Sequence, residues 1–440
     1  MASLAVRDAK SYVGAFPKFG QPKEVACFSR DAGRTVTFDR ASLRNYRVPR
    51  LPAVLDEGFE AYVARDSGSD EVAPMEPILK ALAQKQIAPA ANTFLSYRNN
   101  LNKIFLTPYN PKDDWEVGVE RRADGAILLH VRETARKKSE EANRDERGQR
   151  MCYWGYRFEQ LATLTEAEAS AHEAAKANGH SNGAGGGGGT NQAAGGYRVP
   201  SPSDAGSYDH LFPPGELAFL KSRYADADGG ASGVGGSGPD AATAPPPAAA
   251  LGAVNANEEF CSVVQLSIDK VKVLMAAEID CVAPTKPVGA AASAPGAPCA
   301  AGYVELKTSR LPRSDRETES FERHKLLKFW LQSFLADVPS VIVGFRDDAG
   351  NVQQLKTYET KTIHRLVRKG PAGAGYWDPS ACFNFGKGVL EWVVQQVAAH
   401  PVGAMLVMRY DPMRATISLT PEAEGEEHGG LPSAKRARAE

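Results

Sequence analysis

The stretch from about 166 to 256 consists mostly of Gly, Ala, Ser, Asn and Pro, and includes Gly185–Gly189 and Pro245–Pro247. Such a segment cannot bury enough apolar surface to offset the entropy of ordering it. Whatever folds in this chain of 440 residues is therefore assembled from the two flanking parts. A coil of ~90 residues has an r.m.s. span of roughly 50 Å, so it can join any two points on one domain and reads as an insertion. No G-K-[ST] follows the glycine run, which removes a phosphate-cradling loop from consideration. Leu211–Tyr224, inside the insertion, is expected to form a short helix. A second low-complexity loop lies at about 284–300. One domain is thus expected over 1–420, interrupted at these two places. An acidic and then basic tail follows from 421 to 440.

The flanking parts carry mixed signals. Glu24–Ser29 and Arg34–Phe38 read as extended runs around Asp31-Ala32-Gly33. Glu76–Gln86 and Thr93–Ile104 read as helices. Glu116–Glu120 and Ala126–Val131 flank Asp124-Gly125, a hairpin signal. Glu259–Ser267, Val271–Val282 and Tyr303–Thr308 read as strands. A helix is expected over 320–336, strands at Ser340–Phe345 and Val352–Tyr358, and a helix at Phe385–Ala398. Strands at Ala404–Tyr410 and Thr416–Leu419 close the domain. Many strands with few helices point to an α+β fold.

The formal net charge is −1, with 24% charged residues, so a polyanion would have to be met by a local patch. The cysteines, Cys27, Cys152, Cys261, Cys281, Cys299 and Cys382, form no C-x-x-C pair, which argues against a zinc ribbon or a redox motif. No run of about 18 apolar residues is present, so no membrane span is expected. Charge within the first ten residues argues against a secretory signal. The basic run Lys435-Arg436-Ala437-Arg438 is either a nuclear localisation signal or a solvated tail.

Four segments carry the candidate chemistry. Gly155-Tyr156-Arg157-Phe158-Glu159 is weak alone, because a glutamate ending a helical turn is usually solvated. Glu278-Ile279-Asp280 and Glu305-Leu306-Lys307 are more informative together. Strand periodicity puts Glu278 and Asp280 on one face, and Glu305 and Lys307 on one face. If the strands are neighbours, Asp280 and Glu305 converge. Like charges so placed repel unless a cation lies between them. Hard oxygen ligands favour Mg²⁺ or Mn²⁺ over zinc. A carboxylate and an ammonium two residues apart suit phosphoryl hydrolysis: one holds metal and activates water, the other offsets charge on the phosphate. Taken alone, E-x-K is equally an exposed polar face with an ordinary salt bridge.

The fourth segment is the helix Phe321–Asp337. Leu327, Trp330, Leu331 and Phe334 form its core stripe. Lys325, Lys328 and Gln332 fall on the other side, where they form either a grip for a phosphate backbone or a solvated surface. Two further basic clusters lie close in sequence: Arg310, Arg313, Arg316 and Arg323, then Lys361, His364, Arg365, Arg368 and Lys369. Arg98 falls in the helical stretch after Tyr97 and before Asn99, and its type alone does not choose a role.

In this order, the GYRFE segment at 155–159, EFCSVVQ at 259–265, EID at 278–280, YVELKTSR at 303–310 and HKLLKFWLQSFL at 324–335 closely resemble the decapping exoribonuclease family. That family includes the partner proteins of the nuclear 5′→3′ exoribonuclease. The resemblance covers about 17–410, with Ser96–Tyr109 matching an earlier motif and the low-complexity loops having no counterpart. It implies two mixed β-sheets flanked by helices, akin to D-(D/E)-x-K nucleases. It further implies two Mg²⁺ or Mn²⁺ ions, spaced about 3.5–4 Å apart in such two-metal sites.

By motif position, Glu159, Asp280, Glu305 and the Leu306 carbonyl would ligate metal, with Glu278 acting directly or through water. Lys307 and Gln332 would hold the scissile phosphate and the attacking water. Arg98, with Tyr97 and Asn99, would contact the RNA 5′ region. Arg34, Glu71 and Cys261 match further substrate-contact positions. The implied activity is hydrolysis at the RNA 5′ end, removing incomplete guanosine caps, NAD caps or 5′-triphosphates. Degradation of the RNA body 5′→3′ can accompany it in the family. The implied compartment is the nucleus, with the cytoplasm second. Two alternatives stand beside this reading: a weakly active protein that stabilises a nuclear 5′→3′ exoribonuclease, and a DNA nuclease on the same scaffold. Because loops lengthen at small entropic cost, the strands around 284–300 are expected to stay paired.

Overall fold

Apolar runs bounded by turn residues become the strands of two mixed sheets in the computed structural model, which describes residues 2–65, 74–170, 251–283, 302–367 and 376–422. Glu71, Leu211–Tyr224, the loop 284–300, Arg368, Lys369 and Lys435–Arg438 lie outside the described residues. In chain order the strands are β1 (Ala2–Ala5), β2 (Phe19–Arg30), β3 (Val36–Thr37), β4 (Asn45–Tyr46), β5 (Ala53–Val54), β6 (Thr93–Tyr97), β7 (Trp115–Arg121), β8 (Ile127–Val131) and β9 (Thr163–Leu164). After the long insertion come β10 (Glu259–Ile268), β11 (Val271–Glu278), β12 (Cys281–Val282), β13 (Tyr303–Arg310), β14 (Ser340–Arg346), β15 (Asn351–Glu359), β16 (Met405–Asp411) and β17 (Thr416–Pro421). Ten strands form one sheet in the order β1-β17-β16-β7-β8-β6-β11-β10-β2-β3, and seven form the other in the order β5-β15-β14-β13-β12-β4-β9. β6 runs parallel to β11 and β8, and β13 runs parallel to β14, whereas β10–β11 and β12–β13 are antiparallel.

These strands belong to one unit formed by 1–168 and 246–440. Its layers follow from where the apolar side chains point. Helix Glu76–Gln84 covers one face of the large sheet with Ile78, Ala81 and Leu82, against Phe28, Val263 and Leu274. Helices Arg98–Leu106, Leu326–Leu335 and Pro379–Val397 fill the space between the sheets, around Trp330, Phe105 and Phe383. Helix Glu146–Leu161 seals the outer face of the small sheet with Tyr153, Trp154 and Phe158, against Leu306 and Ile342. Gly344 permits that contact, because a Cβ there would stand 2.7 Å from the Phe158 ring.

Three sequence expectations are corrected. Thr93–Ile104 is not one helix: Thr93–Tyr97 is strand β6, and the helix starts at Arg98. Thr93, Phe94, Leu95 and Ser96 are buried on both faces between parallel neighbours, a setting that favours an unbroken apolar strand over helical propensity. Val271–Val282 is likewise not one strand, because the chain leaves the large sheet after Glu278 and joins the small one at Cys281. The helix expected over 320–336 is a helix at Asp315–Ser320, a π-helical turn at Phe321–Lys325 and a helix at Leu326–Leu335. The strands flanking 284–300 pair as expected, Cys281 with Val304 and Val282 with Tyr303.

Candidate active site

The site forms where the chain crosses between sheets. Ile279 is still tied to the large sheet, its amide donating to the Phe260 carbonyl at 2.9 Å. Cys281 already pairs in the small sheet. Asp280 lies between them, and its Oδ2 accepts the Leu306 amide at 2.6 Å. The crossing thus brings the acid of one strand beside the next strand, which carries Glu305 and Lys307. The expected convergence of Asp280 and Glu305 is met by a change of sheet, not by a continuous strand.

Glu305 is the floor of the site, with 1% of its surface exposed. Lys307 Nζ donates to its Oε1 at 2.5 Å, Gln332 Nε2 to the same oxygen at 2.7 Å, and Arg98 Nη1 to Oε2 at 3.1 Å. Burial pushes the carboxyl up, but Arg98 and Lys307 more than offset this, and it is held below its ordinary value. Lys307 also reaches Asp280 Oδ2 at 3.6 Å. Burial disfavours the ammonium, yet Asp280 and Glu305 outweigh that and keep it charged. Arg98 is buried, because strand β6 ends there and the helix turn aims its side chain inward. Its guanidinium also donates to the carbonyls of Glu278, at 2.8 Å, and Gln332, at 3.4 Å. Arg98 therefore ties the two sheets and helix Leu326–Leu335 to one carboxylate.

Glu159 forms the wall. It follows Phe158, which is pinned in the small sheet's outer core. Among the described residues, no hydrogen bond or ion pair satisfies its carboxylate. Burial first, and then the charge of Asp280, raise its pKa well above the ordinary value. Asp280 itself is pushed up to about 7, by burial and then by Glu305. Glu159, Glu278 and Asp280 line one cavity of about 90 Å³ with Tyr156, Glu259 and Arg44. Glu278 leans to its rim, with Oε2 3.7 Å from Arg65.

The remaining expected residues fall around this centre. Cys261 is buried directly across from Glu278 in the β10–β11 register, and burial followed by the charge of Glu259 raises its thiol pKa. The Tyr97 hydroxyl donates to the Pro74 carbonyl at 2.9 Å. Asn99 lines a second cavity, of about 480 Å³, which it shares with Gln332 and Lys328. Arg34 stands in the β2–β3 turn with φ of 68°. The Leu306 side chain is buried in the outer core.

Sequence reading missed the rim network. Glu259 is buried, pairs with Arg30 at 2.9 Å and bonds Arg65, which reaches on to Glu278. The available signal was Glu259 itself, an acid sharing a strand face with Cys261 and Val263, where burial demands a cation.

Among the described residues, no group of three or more His, Cys, Asp or Glu is gathered closely enough to cage a metal. Asp280 and Glu305 instead close on the Lys307 ammonium. The donor set still fits a hard divalent ion. Its side-chain ligands are carboxylate oxygens, it includes a half-buried Glu159 with no donor among the described residues, and burial, followed by the charge of neighbouring acids, raises the pKa of Glu159 and Asp280.

Comparison with known proteins agrees with this architecture. The sequence profile described as RAI1 like PD-(D/E)XK nuclease matches residues 20–184 and 239–436. The decapping nuclease RAI1 of Aspergillus fumigatus is 30% identical over 391 residues, covering 87% of this chain and 84% of that protein. The Neurospora crassa protein of the same name is 29% identical over 399 residues, covering 89% and 77%. Among solved structures, Candida albicans Rai1 in complex with pU5-Mn²⁺ superposes with a TM-score of 0.65 at 21% identity, covering 96% of this chain and 94% of that one. Scheffersomyces stipitis Rai1 with (3′-NADP)⁺ and calcium gives 0.64 at 20% identity, covering 97% and 94%. A profile matching most of the chain, and a fold in which two sheets deliver E-x-D and E-x-K to one point, place this hydrolase in the RAI1-like PD-(D/E)XK nuclease family of decapping nucleases.

Proposed function

We propose that the chain hydrolyses the 5′ end of RNA, removing NAD caps, incomplete guanosine caps or 5′-triphosphates by breaking a phosphodiester or pyrophosphate bond. The observation that carries this reading is the Lys307 ammonium poised between Glu305 and Asp280 at the sheet crossing, with unsatisfied Glu159 facing the same space. Glu159, Asp280, Glu305 and the Leu306 carbonyl would hold Mg²⁺ or Mn²⁺, with Glu278 at the rim. When bound, the ions would supply a nucleophilic water at neutral pH and offset charge on the phosphate.

The chain's own residues do the rest. Lys307 presents positive charge to the scissile phosphate. Gln332 donates directly to Glu305 and with Lys307 would help to hold the scissile phosphate and the attacking water. Arg98 fixes the Glu305 carboxylate and so sets the geometry of the centre. The names of the relatives, and the ligands in the two Rai1 structures, support the substrate class. Nuclear residence belongs to the same proposal and rests on the Lys435–Arg438 run.

The test is a panel of end-labelled RNAs bearing NAD, unmethylated guanosine, triphosphate, monophosphate or hydroxyl 5′ groups, incubated with Mg²⁺, with Mn²⁺ or with chelator. Release of the whole 5′ group, abolished by chelator, is expected. Equal rates with chelator, or preference for matched DNA, would overturn the reading.

A further inference from the structure

Glu259 and Glu278 are diagonal neighbours on one face of the large sheet, because the register sets Cys261 directly across from Glu278 and strand period puts Glu259 on the same face as Cys261. Like charges so placed repel. Continued, that register would set Glu259 across from Asp280, but Asp280 has left with the crossing to the small sheet. A cation from elsewhere in the chain stands between the two acids. Arg65 Nη2 bonds Glu259 Oε2 and lies 3.7 Å from Glu278 Oε2.

The two acids stand in different settings. The Glu259 side chain is 6% exposed and already has Arg30 directly across from it on β2, with Nη1 2.9 Å from Oε1. A buried acid needs a cation for the sake of the fold, and Arg30 supplies one in register. Arg65 is additional, and 45% of its side chain is exposed. It arrives on a strap held through its backbone. The Val63 amide donates to the Val254 carbonyl at 2.9 Å, the Ala256 amide to the Val63 carbonyl at 2.9 Å, and Asn257 Nδ2 to the Ala64 carbonyl at 3.3 Å. Val254 and Asn255 line the same acidic cavity as Glu278. The Glu278 side chain is 38% exposed, and among the described residues Arg65 is the cation that pairs with it. A glutamate so exposed keeps its rotamer freedom unless a partner holds it, and orientation of groups at a reacting centre contributes directly to rate.

We propose that Arg65, clamped by Glu259, is a positioning residue that fixes the Glu278 carboxylate at the rim of the acidic cavity, so that Arg65 and Glu259 act on turnover through Glu278. This rests on the RNA 5′-end reading of the same site.

The test is a double-mutant cycle in the full chain. Initial rates are measured with Mn²⁺ on RNAs bearing an NAD cap, an unmethylated guanosine cap or a 5′-triphosphate. Arg65→Ala should lower kcat roughly tenfold and leave KM within about twofold. Its Tm should stay within about 2 °C of the unaltered chain. Arg65→Lys, which keeps the charge, should recover most of the lost rate. Glu259→Gln should act in the same direction, and the double variant should be within about twofold of Arg65→Ala alone, because one line of contacts is broken only once. Without divalent ions, the drop in Tm of the double variant should likewise be smaller than the sum of the single drops. An unchanged kcat for Arg65→Ala, a loss confined to KM, or losses that multiply in the double variant would overturn the proposal. If Glu259→Gln fails to fold, Arg65→Ala and Arg65→Lys decide it by the kcat loss and its recovery. If the unaltered chain releases the 5′ group from none of the three RNAs, the underlying RNA reading fails, and this one with it. An active unaltered chain with an equally active Arg65→Ala removes this inference alone.

Discussion

Glu305 and Glu159 are two carboxylates of one site in opposite circumstances. Glu305 accepts from Arg98, Lys307 and Gln332 and is held ionised. Glu159 has no donor among the described residues, and its pKa is raised. The floor is therefore complete within the protein, while the wall lacks a donor among the described residues, where the proposed cation would bind. Stability and catalysis should separate along this line if both acids serve turnover, as proposed, because only Glu305 is tied into the fold by protein donors.

The contrast can be broken most sharply by activity. Asp280→Ala and Lys307→Ala should each lower turnover on 5′-modified RNA by at least about a thousandfold, measured as initial rates. A rate within tenfold of the unaltered chain would remove either residue from the centre. Stability gives the next largest effect. Glu305→Ala leaves Arg98 buried without its carboxylate and should cost about 3–5 kcal/mol, read by urea unfolding. Glu159→Gln should instead stabilise the divalent-free protein by about 1 kcal/mol, because it removes a half-buried carboxyl that has no donor among the described residues and stands against Asp280. Two variants of equal stability would erase the distinction.

Gly344→Ala tests the support of the wall. Pushing the Phe158 ring aside should cost about 1–3 kcal/mol and slow turnover several-fold without altering cap preference.

The smallest effect concerns pH. Asp280, at about 7, and Glu159 have raised pKa values, so the folded chain binds more protons than the unfolded chain above the ordinary carboxylate range. Their contribution to stability therefore falls as pH rises through that window. The proposed divalent ion would replace those protons. The gain in Tm on adding Mn²⁺ should then be larger at pH 8 than at pH 6, and an equal gain at both would contradict the assignment. Glu305, with its lowered value, contributes in the opposite sense and loses its share only in acid.

Much of the site could be read from the sequence because strand periodicity is local. Glu305 and Lys307 share a face as the period of two requires, and the paired strands around Asp280 survive the long loop between them. What could not be read was set by tertiary packing. The sheet change at Ile279–Asp280 depends on Ile279 entering the inter-sheet core while Cys281 enters the outer one. β6 was hidden because Thr93–Tyr97 runs straight into a helical pattern and is a strand only by virtue of its neighbours on both sides. Arg65 is separated from Glu259 by the long insertion, so nothing local linked them. The burial of Arg98 became visible only once its carboxylate partner was in place.

A calorimetric titration of Mn²⁺ into the unaltered chain and into Glu159→Gln, both at pH 8, bears most directly on whether these acids await a divalent ion. Saturable binding that weakens at least tenfold in the variant is expected. Identical isotherms, or no heat of binding to either protein, would mean that the carboxylates at the sheet crossing serve the fold alone.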